Sequence, residues 1–259
     1  MRDHRFMDHG LDLPDSLAGR VAVITGASGG LGAGMAARLA GLGFSLGLCA
    51  RRVPSPPGSA RASVCRSVDV TDAASVEAFA DEVAGELGPI DLWVNNAGLL
   101  GPVAPARDAD PALVRDTVLV NVAGVMYGSA AFARRARLHW PPARRVLVNI
   151  SSGAATSTYE GWSTYGATKA AVDHFSRILA AEEPQLVVHS VSPGVVDTPM
   201  QEQIRATPPV DFPALDRFIE IDRTDSWNSP AWIADHVAAL VADTLQPDAT
   251  TYRVPNEPR

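Results

Sequence analysis

Tyr165 and Lys169 are the two residues of this chain whose types and spacing suit proton transfer. Lys169 is the sole lysine among 22 lysines and arginines, so a general preference for arginine does not account for it. A guanidinium stays protonated, whereas an ammonium titrates and acts as a compact point charge. On a helix, positions i and i+4 share a face, so this phenol and this ammonium address one small volume. A free phenol titrates near pH ~10, and an adjacent cation lowers that value by roughly 1–3 units, toward the range useful for general acid/base catalysis. An ordinary pair on a solvated helix face has the same spacing, so other motifs must decide between the two.

One such motif lies near the N-terminus, where Thr25, Gly26, Ala27, Ser28, Gly29, Gly30, Leu31 and Gly32 follow an apolar run and open a helical pattern. Gly26 permits a tight turn, Gly30 lets backbone approach a pyrophosphate, and Gly32 allows close helix packing. The helix N-terminus adds free amides and a favourable dipole for phosphates. A plain glycine-rich turn is the structural alternative. The next apolar run ends in Cys49, Ala50, Arg51 and Arg52, where an NAD site presents an acidic residue to the ribose hydroxyls. A guanidinium there suits a 2′-phosphate, which favours NADP(H) over NAD. Gly29 stands at a loop position where a second basic residue often supports that phosphate.

The elements that must position these residues are legible as apolar runs: 20–25, 44–50, 62–68, 90–94, 145–150 and 186–191. Their continuity suits strands covered on both faces, and helical patterns separate them. Leu31, Met35, Leu39 and Leu42 form one such stripe, stopped by Gly41 and Gly43. The expected fold is α/β: a single-domain Rossmann fold, a doubly wound parallel sheet flanked by helices over residues 19–259, after an N-terminal extension of residues 1–18. The prolines and glycine between Arg51 and Arg61 predict an irregular loop rather than a crossover helix. Residues 199–230 are weakly periodic and read as a substrate lid of short helices.

With 46% hydrophobic residues in 259, the chain can bury one large core, and two independent domains are not expected. A net charge of -7 opposes general nucleic-acid binding, and Arg134, Arg135, Arg137, Arg144 and Arg145, around His139 to Pro142, read as a solvated helix end and turn. Cys49 and Cys65 lack the spacing of a metal site or redox pair and are expected as reduced thiols in a cytoplasmic protein. The six histidines show no metal-ligand spacing, so no metal is expected. Residues 1–15 carry no apolar segment of a signal peptide, and no run approaches the length of a membrane span.

Taken in order, the glycine loop from Thr25 to Gly32, Asp69 to Asp72, Asn95 to Gly98, Asn121, Ser152, Tyr165 with Lys169, and Pro193 to Thr198 resemble the short-chain dehydrogenase/reductase family from about Gly19 to Met200. Gly161 and Trp162, the stretch 179–184, and Asp197 to Gln201 are most similar to sepiapterin reductases and bacterial benzil-type diketone reductases. The end from Thr251 to Arg259 departs from the family's Gly-Gly segment and has no clear counterpart of the aspartate that anchors pterin in sepiapterin reductases.

The resemblance implies hydride transfer, with Tyr165 as proton donor to a carbonyl oxygen and Ser152 bonding that oxygen. Ser151 is the competing serine, and spacing prefers Ser152. Lys169 would lower the Tyr165 pKa and hold the nicotinamide ribose, and Asn121 would position a water that refills the proton. Gly26, Ser28, Gly30, Leu31, Gly32, Arg51, Arg52, Asp69, Val70, Asn95, Ala97, Gly98, Tyr165, Lys169, Pro193, Gly194, Val196 and Thr198 would contact NADP(H). Trp162 and Met200 would meet substrate together with Ser152 and Tyr165; for Trp162, and for the lid residues Met200, Gln201, Ile204 and Phe218, plain packing is the alternative. The implied activity is NADPH-dependent reduction of a ketone or α-dicarbonyl. Reduction of a keto group on an acyl-carrier or secondary-metabolite substrate is the alternative, and a non-catalytic NADP-binding protein the third. Family members pair through the helices carrying Asn121 and Tyr165, which implies a homodimer or homotetramer.

Overall fold

Seven parallel strands form one sheet in the order β3-β2-β1-β4-β5-β6-β7. The strands are β1 (Val21–Thr25), β2 (Ser45–Ala50), β3 (Ser63–Ser67), β4 (Leu92–Asn95), β5 (Val146–Ile150), β6 (Val187–Ser192) and β7 (Thr251–Arg253). The computed structural model describes residues 11, 13–138, 140–141 and 143–258. Expectations that fall on residues 1–10 and 12, His139 and Pro142 lie outside the described residues.

Because side chains alternate along a strand, each apolar run feeds two cores. Ala22, Ile24, Leu46 and Leu48 pack with α1 (Gly30–Gly41) and α8 (Pro230–Ala242). Val21, Val23, Val64 and Trp93 pack on the other face with α2 (Ala73–Leu87), α4 (Gly124–Leu138) and α5 (Ser163–Glu182). Cys49 and Cys65 are free thiols on opposite faces, and burial pushes Cys49 up to about 12. The winding reverses between β1 and β4, which opens a crevice at the carboxyl ends of the strands.

Six of the seven strands coincide with the apolar runs. β7 does not: it has three residues, two of them exposed, and carries no periodic signal, yet it pairs with β6 and brings Arg253 and Asn256 to the crevice edge. The β2–β3 connection holds no helix, as its prolines require. Residues 199–230 contain α6 (Pro199–Arg205) and α7 (Leu215–Arg223), lying over the crevice.

Two expectations need correction. α3 (Pro111–Val118) continues into α4 through a π-helical turn, Leu119–Ala123, and the joined helix is long and apolar enough by length and composition to cross a membrane. Half of its most apolar window is buried inside the fold, against α2, α5 and β4, which accounts for its apolarity as packing. Within the arginine cluster, Arg135 and Arg145 are buried rather than solvated. Arg135 pairs with Glu77 and Asp81, clamping α4 to α2, and Arg145 donates to the carbonyls of Ile90 and Pro141.

A polar network inside the second core fixes α4 and α5 to the sheet. Asn95 accepts from Trp93 Nε1 (2.8 Å) and donates to Val125 O (3.2 Å), Ser129 Oγ (3.0 Å) and Asn149 Oδ1 (2.8 Å). Asn149 in turn donates to Ser176 Oγ at 2.9 Å, on α5. Truncating Asn95 to alanine strands an indole N–H and weakens the hold on Asn149, at about 1–3 kcal/mol for each buried group left unpaired. Asn95→Ala is expected to lose about 2–4 kcal/mol of unfolding free energy in urea titration, whereas an exposed change such as Val53→Ala stays within about 0.5 kcal/mol.

Candidate active site

A cavity of about 1110 Å³ occupies the crevice, running from the glycine loop past the ends of β2, β4 and β5 to α6 and α7. At one end the loop forms a cradle that only small residues fit. Gly26 has φ +68, and a Cβ there would lie 2.7 Å from Ala97 Cα. A Cβ on Gly32 would lie 2.5 Å from the Gly26 carbonyl oxygen. Asn96 ties the loop down, donating from Nδ2 to Thr25 O at 2.9 Å, while Thr25 Oγ1 accepts from the Asn96 and Ala97 amides. Gly29 caps α1 in an extended conformation with open space where a side chain would project.

Ser28, Gly30, Leu31, Arg51, Arg52, Asp69, Val70, Ala97, Gly98, Pro193, Gly194, Val196 and Thr198 all line this cavity. Arg51 and Arg52 are exposed at its rim. Asp69 Oδ1 accepts from the Thr71 amide (2.9 Å) and hydroxyl (2.8 Å), which fixes its carboxylate at the turn after β3. Asn95 is the exception. It is 2% exposed and committed to the internal network, and its neighbour Asn96 lines the cavity instead. Alternation at the end of β4 turns one of the two asparagines inward, and apolar periodicity alone did not say which. Asn228 was also missed: its Nδ2 donates to Pro193 O (2.9 Å) and Pro255 O (3.2 Å), tying the segment after β6 to the C-terminal tail.

At the other end, Ser152 caps a single 3₁₀ turn, Gly153–Ala155, and its Oγ accepts from the Ala154 amide at 3.2 Å. The same hydroxyl is near enough to the phenol of Tyr165 on α5 to lower its pKa. Ser151 also borders the cavity, but its Oγ is engaged within the protein, donating to Lys169 O at 3.5 Å. Lys169 is 5% exposed, donates from Nζ to Ile150 O at 2.8 Å, and lies 5.7 Å from the centre of the Tyr165 ring. Asn121 sits in the π-helical turn behind Lys169, fully buried. Its carboxamide is taken up by the Leu99 amide and carbonyl (both 2.8 Å) and by Thr168 Oγ1 (3.1 Å). Its side chain therefore locks α5 to the loop after β4 and does not reach the cavity wall.

The electrostatics differ from the expectation of a phenol made acidic by its neighbour. Burial raises the Tyr165 pKa above its ordinary value, and the nearby Ser152 hydroxyl opposes this only in part. Burial also pulls Lys169 down to about 8, against the pull of Asp173. Two desolvated groups at this separation each favour their neutral form, and the ammonium's field does not overcome that. Trp162 and Met200 line the cavity beside them, where Trp162 stacks on Phe212 (4.6 Å between centroids, 17°) and meets Tyr165 edge-on at 5.5 Å. Tyr159 and Phe218 complete an aromatic wall. Among the described residues no cluster has the makeup of a metal site.

A parallel doubly wound sheet with a glycine cradle at its switch point and a Ser, Tyr and Lys cluster in the same crevice defines a dinucleotide-dependent oxidoreductase. The short chain dehydrogenase family model matches residues 20–209, and the chain belongs to that family. It is 30% identical over 248 residues to benzil reductase ((S)-benzoin forming) of Bacillus cereus, covering 91% of this chain and 99% of the relative. To sepiapterin reductase of Meriones unguiculatus it is 34% identical over 206 residues, covering 72% of this chain and 78% of the relative. The KRED1-Pglu enzyme superposes with a TM-score of 0.77 at 29% identity, over 90% of this chain and 99% of that one. The family uses NAD(P)(H), and the cradle, the free amides of α1 and the length of the cavity fit that group.

The depressed Lys169 pKa has a consequence for stability. Between about pH 8 and its unfolded value of 10.5, the unfolded chain holds a proton on this residue that the folded chain has released, so Lys169 adds a stability that rises with pH across that window. Below pH 8 the buried charge costs about 3 kcal/mol. Lys169→Met is therefore expected to compare most favourably with the parent in urea unfolding at pH 7 and progressively less so toward pH 10. A stability difference flat from pH 7 to 10 would refute the burial effect.

Proposed function

We propose that this chain is an NADPH-dependent carbonyl reductase, converting a ketone or α-dicarbonyl to the alcohol. The observation that carries the reading is the buried Tyr165 phenol, beside Ser152, in the wall of a crevice that begins at a glycine cradle. The benzil reductase relative, matched over nearly its full length, supports the substrate class. Arg51 and Arg52 at the cavity rim, with no acidic residue beside them at the end of β2, support the 2′-phosphate form of the cofactor. The free state of both cysteines supports a cytoplasmic setting.

In this reading the substrate carbonyl oxygen accepts hydrogen bonds from Ser152 and Tyr165. NADPH, held along the glycine cradle, would supply a hydride to the carbonyl carbon. As the C=O bond gives way to an alkoxide, Tyr165 transfers its phenolic proton to the oxygen. The phenolate left behind is stabilised by the Lys169 ammonium, whose pKa of about 8 suits return of a proton near neutrality. Gly194 and Thr198, with the backbone from Pro193, would hold the nicotinamide end, and the aromatic wall would keep bulk water from the reacting oxygen. Tyr165→Phe is expected to lower turnover of benzil by roughly 10²–10⁴-fold while cofactor affinity, read by fluorescence titration, stays within a few-fold. The parent should favour NADPH over NADH in catalytic efficiency; equal or better use of NADH would overturn the cofactor assignment.

The helices carrying Asn121 and Tyr165 expose Leu113, Val118, Leu119, Met126 and Ile178. An apolar face of this kind supports pairing of two copies across these helices. Sedimentation of the parent is expected to give a dimer or tetramer, and Leu119→Glu combined with Met126→Glu is expected to give monomers. A parent already monomeric at micromolar concentration would rule this out.

A further inference from the structure

The charge of the cavity wall runs against that of the chain. The chain carries a net charge of -7, yet the wall gathers Arg51, Arg52, Lys169, Arg217 and Arg253 against Asp69 and Glu220. Four of these cations have a place in the reading above. Arg51 and Arg52 stand at the cofactor end, Lys169 lies beside Tyr165, and Arg253 pairs its backbone with Ser192, next to the segment assigned to the nicotinamide. Arg217 is elsewhere: it is an exposed residue of α7, set against the aromatic wall.

Its guanidinium is oriented without being neutralised. Nη1 donates to the Tyr159 hydroxyl at 2.9 Å, and the guanidinium carbon lies 5.9 Å from the centre of the Tyr159 ring. Among the described residues it forms no ion pair. The acids that follow it on α7 are engaged elsewhere. Glu220 accepts from Nε and Nη2 of Arg223 (2.8 and 2.7 Å), and Asp222 pairs with Arg205 at 3.5 Å.

A guanidinium carries several N–H donors in a planar fork, and the bond to Tyr159 uses one of them. The rest suit the two oxygens of a carboxylate, and a tethered side chain loses less freedom on binding one. Ring contacts lead from this cation back to the reacting centre: Tyr159 meets Trp162 at 5.0 Å and Trp162 meets Tyr165 at 5.5 Å between centroids. The cation thus stands off from the Tyr165 phenol by a stretch of apolar wall. An anion bound there belongs to a part of the substrate remote from the reacting carbonyl.

We propose that Arg217 binds a carboxylate carried by the substrate on the far side of its aromatic or aliphatic body, so that the carbonyl compounds this site prefers are keto acids. This rests on the carbonyl reductase reading above and names the substrate class within it. Solvent reaches Arg217 and screens the pair, so the preference is moderate in size and sensitive to salt.

The test uses the whole chain with NADPH and two diketones of one skeleton, benzil and benzil-4-carboxylate. In Arg217→Met, which keeps an apolar stem against Tyr159, the ratio of kcat/KM for the acid to that for benzil is expected to fall about fivefold or more, through KM for the acid. Arg217→Lys, which keeps the charge and loses the fork, is expected to retain part of the ratio. Raising NaCl to about 0.5 M should lower the ratio in the parent and leave it unmoved in Arg217→Met. An unchanged ratio in Arg217→Met, equal losses on both substrates, or a parent ratio indifferent to salt would overturn the proposal. If the parent reduces neither diketone, the reductase reading falls and this proposal with it; reduction of both with an unmoved ratio removes only this proposal.

Discussion

Everything at the reacting end of this molecule is arranged around one ammonium held out of water. Lys169 is sealed under α5, with the Ile150 carbonyl as its hydrogen-bond acceptor at 2.8 Å. A charge so placed is unfavourable unless its surroundings are rigid, because a small displacement removes the carbonyl and leaves the desolvation cost. The rigidity comes from side chains that never touch the cavity. Asn149 joins β5 to α5 through Ser176, Asn95 joins β4 to β5 and α4, and Asn121 joins α5 to the loop after β4 through Thr168 and Leu99. The sheet, its two covering layers and the π-helical turn thus meet at the back of a single side chain.

The two ends of the cavity are built by opposite means. The cofactor end is backbone: a glycine loop fixed by Asn96 and Thr25, the first amides of a helix, and the turn after β6 held by Asn228. Backbone held at that many points has one shape, which suits a ligand common to a whole family. The other end is side chain: an aromatic wall from Tyr159, Trp162, Phe212 and Phe218, beside two short helices. Side chains exchange without disturbing the sheet, and specificity varies there.

Much of this was legible in the residues. Six strands followed from apolar continuity, the cradle and the Tyr165 and Lys169 pair followed from spacing, and Ser152 followed from the family resemblance. What escaped did so for identifiable reasons. β7 is too short and exposed to carry a period. The choice between Asn95 and Asn96 depends on strand parity at a terminus, where alternation has no further residues to confirm it. Arg135 and Arg145 looked solvated because partners on α2 and before β4, distant in sequence, neutralise or accept from them. The direction of the Tyr165 shift was the deepest miss. Sequence places a cation four residues away but says nothing of how much water both groups lose, and the loss of water is the larger effect.

That reversal fits the proposed chemistry better than the original expectation did. A reductase needs its phenol protonated when substrate arrives, and a raised pKa keeps it so across neutral pH. The ammonium does its work later, when the proton has left and a phenolate has formed in a site too dry to solvate it. Lys169 is then worth more to the product of proton transfer than to the resting phenol, which is the differential binding that lowers a barrier. Oxidation of the alcohol asks for the opposite, a phenolate before substrate binds. In this site that state is reached only at alkaline pH, where Lys169, with a pKa of about 8, has largely lost the charge that would support it. In the proposed reading, the same burial that prepares the acid therefore handicaps the base.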